Sequence, residues 1–293
     1  MRIYYGITNN NMDVTDICKA KIINNKLIIP SGDLNRANLF TDPLVGVHKY
    51  IIIENNGILT EYDESVQIKI NGINNTIETI NENDINNKLS DIHSKLKINH
   101  GSLNDELPEQ KMVVRYLTGN ENVLEIGGNI GRNTMVIASI VNSLVTLECD
   151  PNIAKQLTEN RDLNNFNFHI ECAALSNRKL IQKGWDTIPS ETLLDGCRWV
   201  NTITLDNLKN KYNIAFDTLV LDCEGAFYYI LMDMPQILDN INLIIMENDY
   251  NNITHKQYID TILLQNNFKV DYAEQGGWGP CYNNFFEVWK KHS

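Results

Sequence analysis

The 293-residue chain has no CxxC pair, no internal repeat, no block of Lys and Arg, and no apolar run near the ~18 residues that a membrane span requires. Each absence removes a class of protein. The six cysteines (Cys18, Cys149, Cys172, Cys197, Cys223, Cys281) are scattered, and several sit in apolar strand-like runs. They read as reduced, buried thiols, without the spacing of a zinc site or a disulfide framework. The opening MRIYYGITNNN carries one basic residue and turns polar at once, so it lacks the apolar core of a secretory signal. The expected compartment is cytoplasmic, with no membrane partner. With 25 Lys and Arg against 37 Asp and Glu, the net charge of -12 repels a phosphate backbone on average, which argues against DNA and disfavours RNA.

What the chain has in excess is asparagine, 42 residues, together with abundant Ile. Both have AT-rich codons, and their interleaving with apolar positions fits codon bias on a folded chain better than a prion-like tract. Residues 1–100 carry short β-branched runs at Lys21 to Ile29, Val47 to Glu54 and Ser65 to Ile70, broken by Asn, Gly, Pro and Asp. This predicts a β-rich N-terminal domain, closed by a helix over 84–97 in which Ile85, Leu89, Ile92 and Leu96 share a face. Residues 101–293 alternate strand and helix. Strands are expected at Val123 to Ile126, Leu144 to Glu148, Phe168 to Ala173, Thr218 to Leu221, Leu243 to Met246, Phe268 to Tyr272 and Phe285 to Trp289. That grammar predicts an α/β, Rossmann-like doubly wound sheet, whose ligands bind beyond the C-terminal ends of the strands.

The strand ends carry the chemistry. VLEIGGNIGRNT sets Glu125 inside an apolar strand and Gly127, Gly128 and Gly131 in the turn that opens the next helix. Glycine there allows positive φ and close approach of backbone amides to a ligand, although the spacing is not GxGxxG. The next strand ends at Glu148, where a carboxylate can accept hydrogen bonds from both hydroxyls of a ribose; the alternative is a solvated strand-end residue. Asp150, just before Pro151, is the expected helix cap. The run FDTLVLDCEG stops at Asp222 and Glu224, and NLIIMENDY stops at Glu247, Asn248 and Asp249. Adjacent strands lie about 4.8 Å apart, so Asp222 and Glu247 would face one cleft as a base or, with Asn248, as magnesium ligands. In an acidic protein they could equally be plain strand-end carboxylates.

Residues 119–290 resemble the FkbM family of S-adenosylmethionine-dependent methyltransferases, many of which act on hydroxyls of sugars and natural products. Glu125, Gly127, Asn129 and Gly131 are similar to the family's first motif, with Glu for the usual Asp and Gly128 for Ala. Glu148 and Pro151 match its ExxP, Leu163, Asn164 and Asn165 its Leu-Asn-Asn, Thr204, Leu205 and Asp206 its TLD, and Asp222, Glu224, Gly225 and Ala226 its DxEGA. After the fifth strand the chain has Glu-Asn-Asp where many members have Glu-Leu-His. The resemblance implies a class I methyltransferase fold with an antiparallel last strand and S-adenosylmethionine as cofactor. It implies that Cys172 and Ala173 border the adenine and that Glu125 and Asp222 face the methionine end.

The expected activity is O-methylation of a sugar hydroxyl on a glycan or nucleotide sugar, with Asp222, Glu224 and Glu247 as catalytic candidates and magnesium as an option. Trp185 and Trp199 lie in an insertion on the acceptor side, and Trp278 with Tyr282 offers a second wall, unless these rings fill core contacts. IIPSGDLNRANLFTDPLVGVHKYI resembles segments of glycan-modifying proteins of large DNA viruses, in keeping with an AT-rich genome. It is read either as an acceptor-binding or oligomerising element or as a turn-rich hairpin without a site. A catalytically silent scaffold and a nicotinamide-dependent oxidoreductase are the competing readings.

Overall fold

The computed structural model describes residues 1–22 and 25–292 and divides into two compact units, Met1–Asn87 and Lys88–Ser293. The division falls inside the helix Glu82–Lys95, so the segment up to residue 100 that was assigned to the first domain belongs partly to the second. Among the described residues no helix is long and apolar enough to cross a membrane.

The first unit is β-rich. Arg2–Ile7 pairs antiparallel with Asn10–Asp13 on one side and with Tyr50–Asn55 on the other, and Ile58–Tyr62 closes a four-stranded sheet. A second sheet joins Lys26–Ile29, Val66–Asn71 and Ile77–Asn81. Ile3, Tyr5, Leu27, Ile51, Ile53 and Ile68 form its apolar core. Of the strand expected from Lys21, residues 23 and 24 lie outside the described residues. The segment read as a possible hairpin forms the helix Asp33–Phe40 instead, because its charges are spent inward. Arg36 is fully buried and donates to the carbonyls of Pro30, Tyr62, Asp63 and Val66. Lys49, equally buried, bridges Asp33 and Asp42 at 3.1 and 3.2 Å. These cations hold the turns together.

The second unit is built on seven strands: β1 (Asn122–Ile126), β2 (Ser143–Leu147), β3 (His169–Glu171), β4 (Thr218–Leu221), β5 (Leu243–Glu247), β6 (Phe268–Glu274) and β7 (Phe286–Lys291). Their order is β3-β2-β1-β4-β5-β7-β6. The first five run parallel and β7 is antiparallel to both neighbours. Parallel strands covered on both faces need near-continuous apolar side chains, and β4, reading TLVL, is buried throughout. The helices that matter for the site are α1 (Leu107–Tyr116), α2 (Arg132–Ala138), α3 (Pro151–Leu163), α4 (Leu205–Tyr212), α5 (Phe227–Asp233) and α6 (Ile253–Gln265). Asp150 caps α3 as expected, accepting from the amides of Asn152 and Ile153 at 2.8 and 3.4 Å. The sheet is Rossmann-like and mostly parallel, as the sequence grammar predicts, with an antiparallel seventh strand.

A buried ion pair fastens α6 to β7: Lys256 Nζ lies 2.7 Å from Glu287, which also accepts from Trp289 Nε1 and Asn284 Nδ2. Removing one member of a desolvated pair strands the other. Lys256→Met should therefore cost about 3 kcal/mol in urea denaturation followed by tryptophan fluorescence. A loss below about 1 kcal/mol would mean that the pair behaves like a surface contact.

Candidate active site

The loop from β1 to α2 is shaped by what it must pass. At Gly127 (φ 93°) an added Cβ would lie 1.5 Å from the backbone oxygen of Asp222, so only glycine lets the β1 and β4 ends meet. At Gly128 a Cβ would fall 2.2 Å from Thr146 Oγ1. The amides of both glycines are bonded to the carbonyl of Leu147, at 3.0 and 2.9 Å. They are spent on β2, contrary to the expectation that glycine amides face the ligand. The next amide, that of Asn129, donates instead to Glu148 Oε2 at 2.9 Å, and the amide of Asp150 donates to Glu148 Oε1 at 2.7 Å. These backbone donors fix the carboxylate in the cavity wall. Burial leaves Glu148 8% exposed and raises its pKa, with the two amides opposing that shift.

Glu148 borders a cavity of about 650 Å³ across the C-terminal ends of β1, β2, β4 and β5. One end is apolar, with Leu147, Ile153, Ala173, Leu175 and Leu180; the other is acidic, with Glu106, Glu109, Asp222, Glu224 and Glu247. Of the sequence-predicted residues, Gly127, Asn129, Glu148, Ala173, Asp222, Glu224 and Glu247 therefore share one cavity. Glu125, Gly131 and Cys172 do not line it. Gly131 caps α2 and packs on Leu157. Cys172 is half-buried beside Ala173. Glu125 turns beneath the loop, 2% exposed, and accepts from Thr134 Oγ1 at 2.6 Å, so it braces α2 and faces no ligand. Burial pushes its pKa up to about 7.

At the acidic end burial raises Asp222, Glu247, Glu109 and Asp249, and neighbouring carboxylates raise them further. Glu109 stands close enough to Glu247, and Glu224 to Asp249, for the first carboxylate of each pair to make the second harder to ionise. Glu224 itself adopts φ 50°, and the amide of Gly225 donates to Asp249 Oδ1 at 3.0 Å. Magnesium finds no cage. Asn248 donates to the carbonyl of Asn284 at 2.6 Å, and among the described residues no group of three His, Cys, Asp or Glu side chains is placed to hold a metal ion.

The insertion after β3 forms an antiparallel arm, with Leu180–Lys183 between Asp186–Pro189 and Arg198–Val200. Its Leu180, Gln182, Trp185 and Thr187 line the cavity, whereas Trp199, Trp278 and Tyr282 do not. Arg198 pins the arm, donating to Gln182 at 2.5 Å and pairing with Asp150 at 2.6 Å. The sequence reasoning missed Glu106, Glu109, Arg132 and Gln182. A signal for the first two was present in DELPEQ, where Pro108 opens a helix and sets Glu109 in its first turn. His48, His100 and His255 are accounted for by Asp63, Glu159 and the ring of Tyr228.

No family model matches the chain, and no curated protein matches it. Solved structures share parts of its fold. An O-methyltransferase from Bacillus cereus in complex with SAH is 17% identical, with 70% of this chain and 91% of that chain covered and a TM-score of 0.41. A ribosomal protein L11 methylase from Lactobacillus delbrueckii subsp. bulgaricus is 15% identical, with 67% and 84% covered and a TM-score of 0.42. An rRNA methylase from Streptococcus thermophilus is 11% identical, with 63% and 94% covered and a TM-score of 0.40.

Glu125 generates a pH prediction. Its folded pKa, about 7, exceeds the ordinary 4.5, so the folded state holds the proton more tightly. The stability it contributes is full below about pH 4.5 and is lost as pH rises through 7. Glu125→Gln should match the parent at pH 4.5 and exceed it at pH 8 by up to about 3 kcal/mol. Thermal melts across that range check this; a constant difference between the two proteins would show that the residue does not titrate with folding.

Proposed function

We propose that the chain is an S-adenosylmethionine-dependent O-methyltransferase acting on a sugar hydroxyl, in keeping with its FkbM-like motifs. The observation that carries the reading is Glu148: a buried carboxylate at the end of β2, oriented by the amides of Asn129 and Asp150, that lines the cavity. That is a receptor for the vicinal hydroxyls of a ribose. The residues present fit the cofactor on other grounds too. Leu147, Ile153, Ala173 and Leu180 offer an apolar slot for a purine, and the carboxylates beyond Gly127 suit positive charge. When bound, the cofactor supplies a methyl group already activated by its sulfonium leaving group.

What remains for the protein is to align a hydroxyl and take its proton. Asp222 and Glu247, on adjacent parallel strands, and Glu224 one turn beyond are the groups proposed for that task. Burial and like charge raise the pKa of both Asp222 and Glu247, which makes each a stronger proton acceptor once it is ionised. Trp185, 59% exposed on the arm, is placed at the cavity edge as a ring for a sugar face. The β-rich first unit is proposed to bind acceptor or to make a homo-oligomer, since a chain already equipped for cofactor binding has no other evident need of it.

S-adenosylhomocysteine should raise the melting temperature, whereas NADH should not. Glu148→Ala should weaken S-adenosylhomocysteine binding by about 10- to 100-fold in calorimetry, the value of one or two charge-assisted hydrogen bonds. Stabilisation by NADH alone would replace this reading with the oxidoreductase one.

A further inference from the structure

The acidic end of the cavity is short of donors. Six carboxylates line the cavity, Glu106, Glu109, Glu148, Asp222, Glu224 and Glu247, and Arg132 is the one basic side chain among the described residues that line it. Arg132 is already engaged, with Nη1 2.5 Å from Glu106 and Nε 3.5 Å from Asp105. Glu109 is 8% exposed, yet its Oε2 meets no N–H or hydroxyl of the protein. The carboxyl of Glu247 lines the same cavity, and burial raises the pKa of both groups. Glu109 comes from the first turn of α1 and Glu247 from the end of β5, so two separate elements deliver an unsatisfied acid pair to one place. A buried acceptor without a donor is costly, and a cation that brings both charge and N–H groups would satisfy it.

We propose that the methyl acceptor is a hydroxylated amine, of the amino-sugar class, whose ammonium donates to Glu109 and Glu247, and that it arrives without a phosphate. This rests on the methyltransferase reading above and narrows it. A phosphate group would bring two further negative charges beside carboxylates that have only one engaged guanidinium near them, which disfavours sugar nucleotides, sugar phosphates and RNA. The cofactor alone does not exhaust the site: it carries a sulfonium and an ammonium against one carboxylate, a net charge of about one, which leaves carboxylates to spare at this end.

The test uses the full chain saturated with S-adenosylhomocysteine at pH 7 and titrated calorimetrically with glucosamine, glucose and glucose 6-phosphate. Glucosamine should bind at least about tenfold more tightly than glucose, and glucose 6-phosphate should not bind. In two buffers of unlike ionisation heat, glucosamine binding should release a proton. Glu109→Gln should abolish both the preference for glucosamine and the proton release, while its affinity for S-adenosylhomocysteine stays within about threefold of the parent. Equal affinity for glucosamine and glucose, tighter binding of glucose 6-phosphate, or no binding of any of the three overturns the proposal. So does loss of S-adenosylhomocysteine binding in Glu109→Gln as large as that in Glu148→Ala, because Oε2 would then serve the cofactor. The parent protein answers the sugar comparison even where the variant fails to fold. Failure of S-adenosylhomocysteine to bind the parent at all would instead sink the methyltransferase reading.

Discussion

Backbone meets backbone at the head of the central sheet, where Gly127 passes so close to the carbonyl of Asp222 that a side chain could not fit between them. That crossing ties the first loop to the end of β4, and most of the site follows from it. Because Gly127 and Gly128 are drawn against the strands, their amides turn to the Leu147 carbonyl, and the next free amide, at Asn129, is left to hold Glu148. Asp222 is held by the same crossing at the opposite end of the cavity, beside Glu247. A single sterically forced contact therefore sets the separation between the carboxylate proposed for the ribose and those proposed for the reacting end.

The second constraint is desolvation. Carboxylates taken out of water resist ionising, and several in one cavity resist together, which is why Glu247 and Asp249 are both held well above the ordinary carboxylate range. Two elements meet in their orientation. Asp150 caps α3 through Oδ1 and receives Arg198 of the arm on Oδ2, so one side chain both starts a helix and fastens the wall of the cavity. The residue carrying Gln182 and Trp185 to the cavity is thus anchored to the strand end that carries Glu148.

The succession of strands along the chain and the residues at their ends were legible in the sequence because both follow from local pattern, whereas their order across the sheet was not. Near-continuous apolar runs mark buried parallel strands, and a carboxylate that ends such a run has few places to go but the cleft. Asp150 as a cap and the pairing of Asp222 with Glu247 across adjacent strands came from the same logic. Glu125 misled for a physical reason: a carboxylate within a strand can face the ligand or a hydroxyl beneath the loop, and only the positions of Thr134 and α2 decide. The segment around Arg36 and Lys49, read in one alternative as a turn-rich hairpin, forms a helix because its cations are satisfied only by carbonyls and carboxylates that the fold brings around them. Glu106 and Glu109 belong to a helix outside the strand-helix alternation, so nothing in the pattern tied them to the sheet.

That helix explains how so much negative charge is tolerated in one place. Glu106 is the N-cap of α1 and Glu109 lies in its first turn, where the unpaired amides and the helix dipole favour negative charge. The cavity thereby gains two carboxylates whose repulsion from Asp222 and Glu247 is offset by backbone polarity, with no neutralising Lys needed. Arg132, at the start of α2, suffers the reverse: a cation at a helix N-terminus is disfavoured, and its pairing with Glu106 compensates for that. Two helix ends of like polarity therefore carry opposite charges into contact. The acidic helix end keeps a carboxylate to spare, and the basic one is ion-paired through Nη1 while its buried Nε makes no hydrogen bond, so the charge balance of the cavity is set largely by secondary structure.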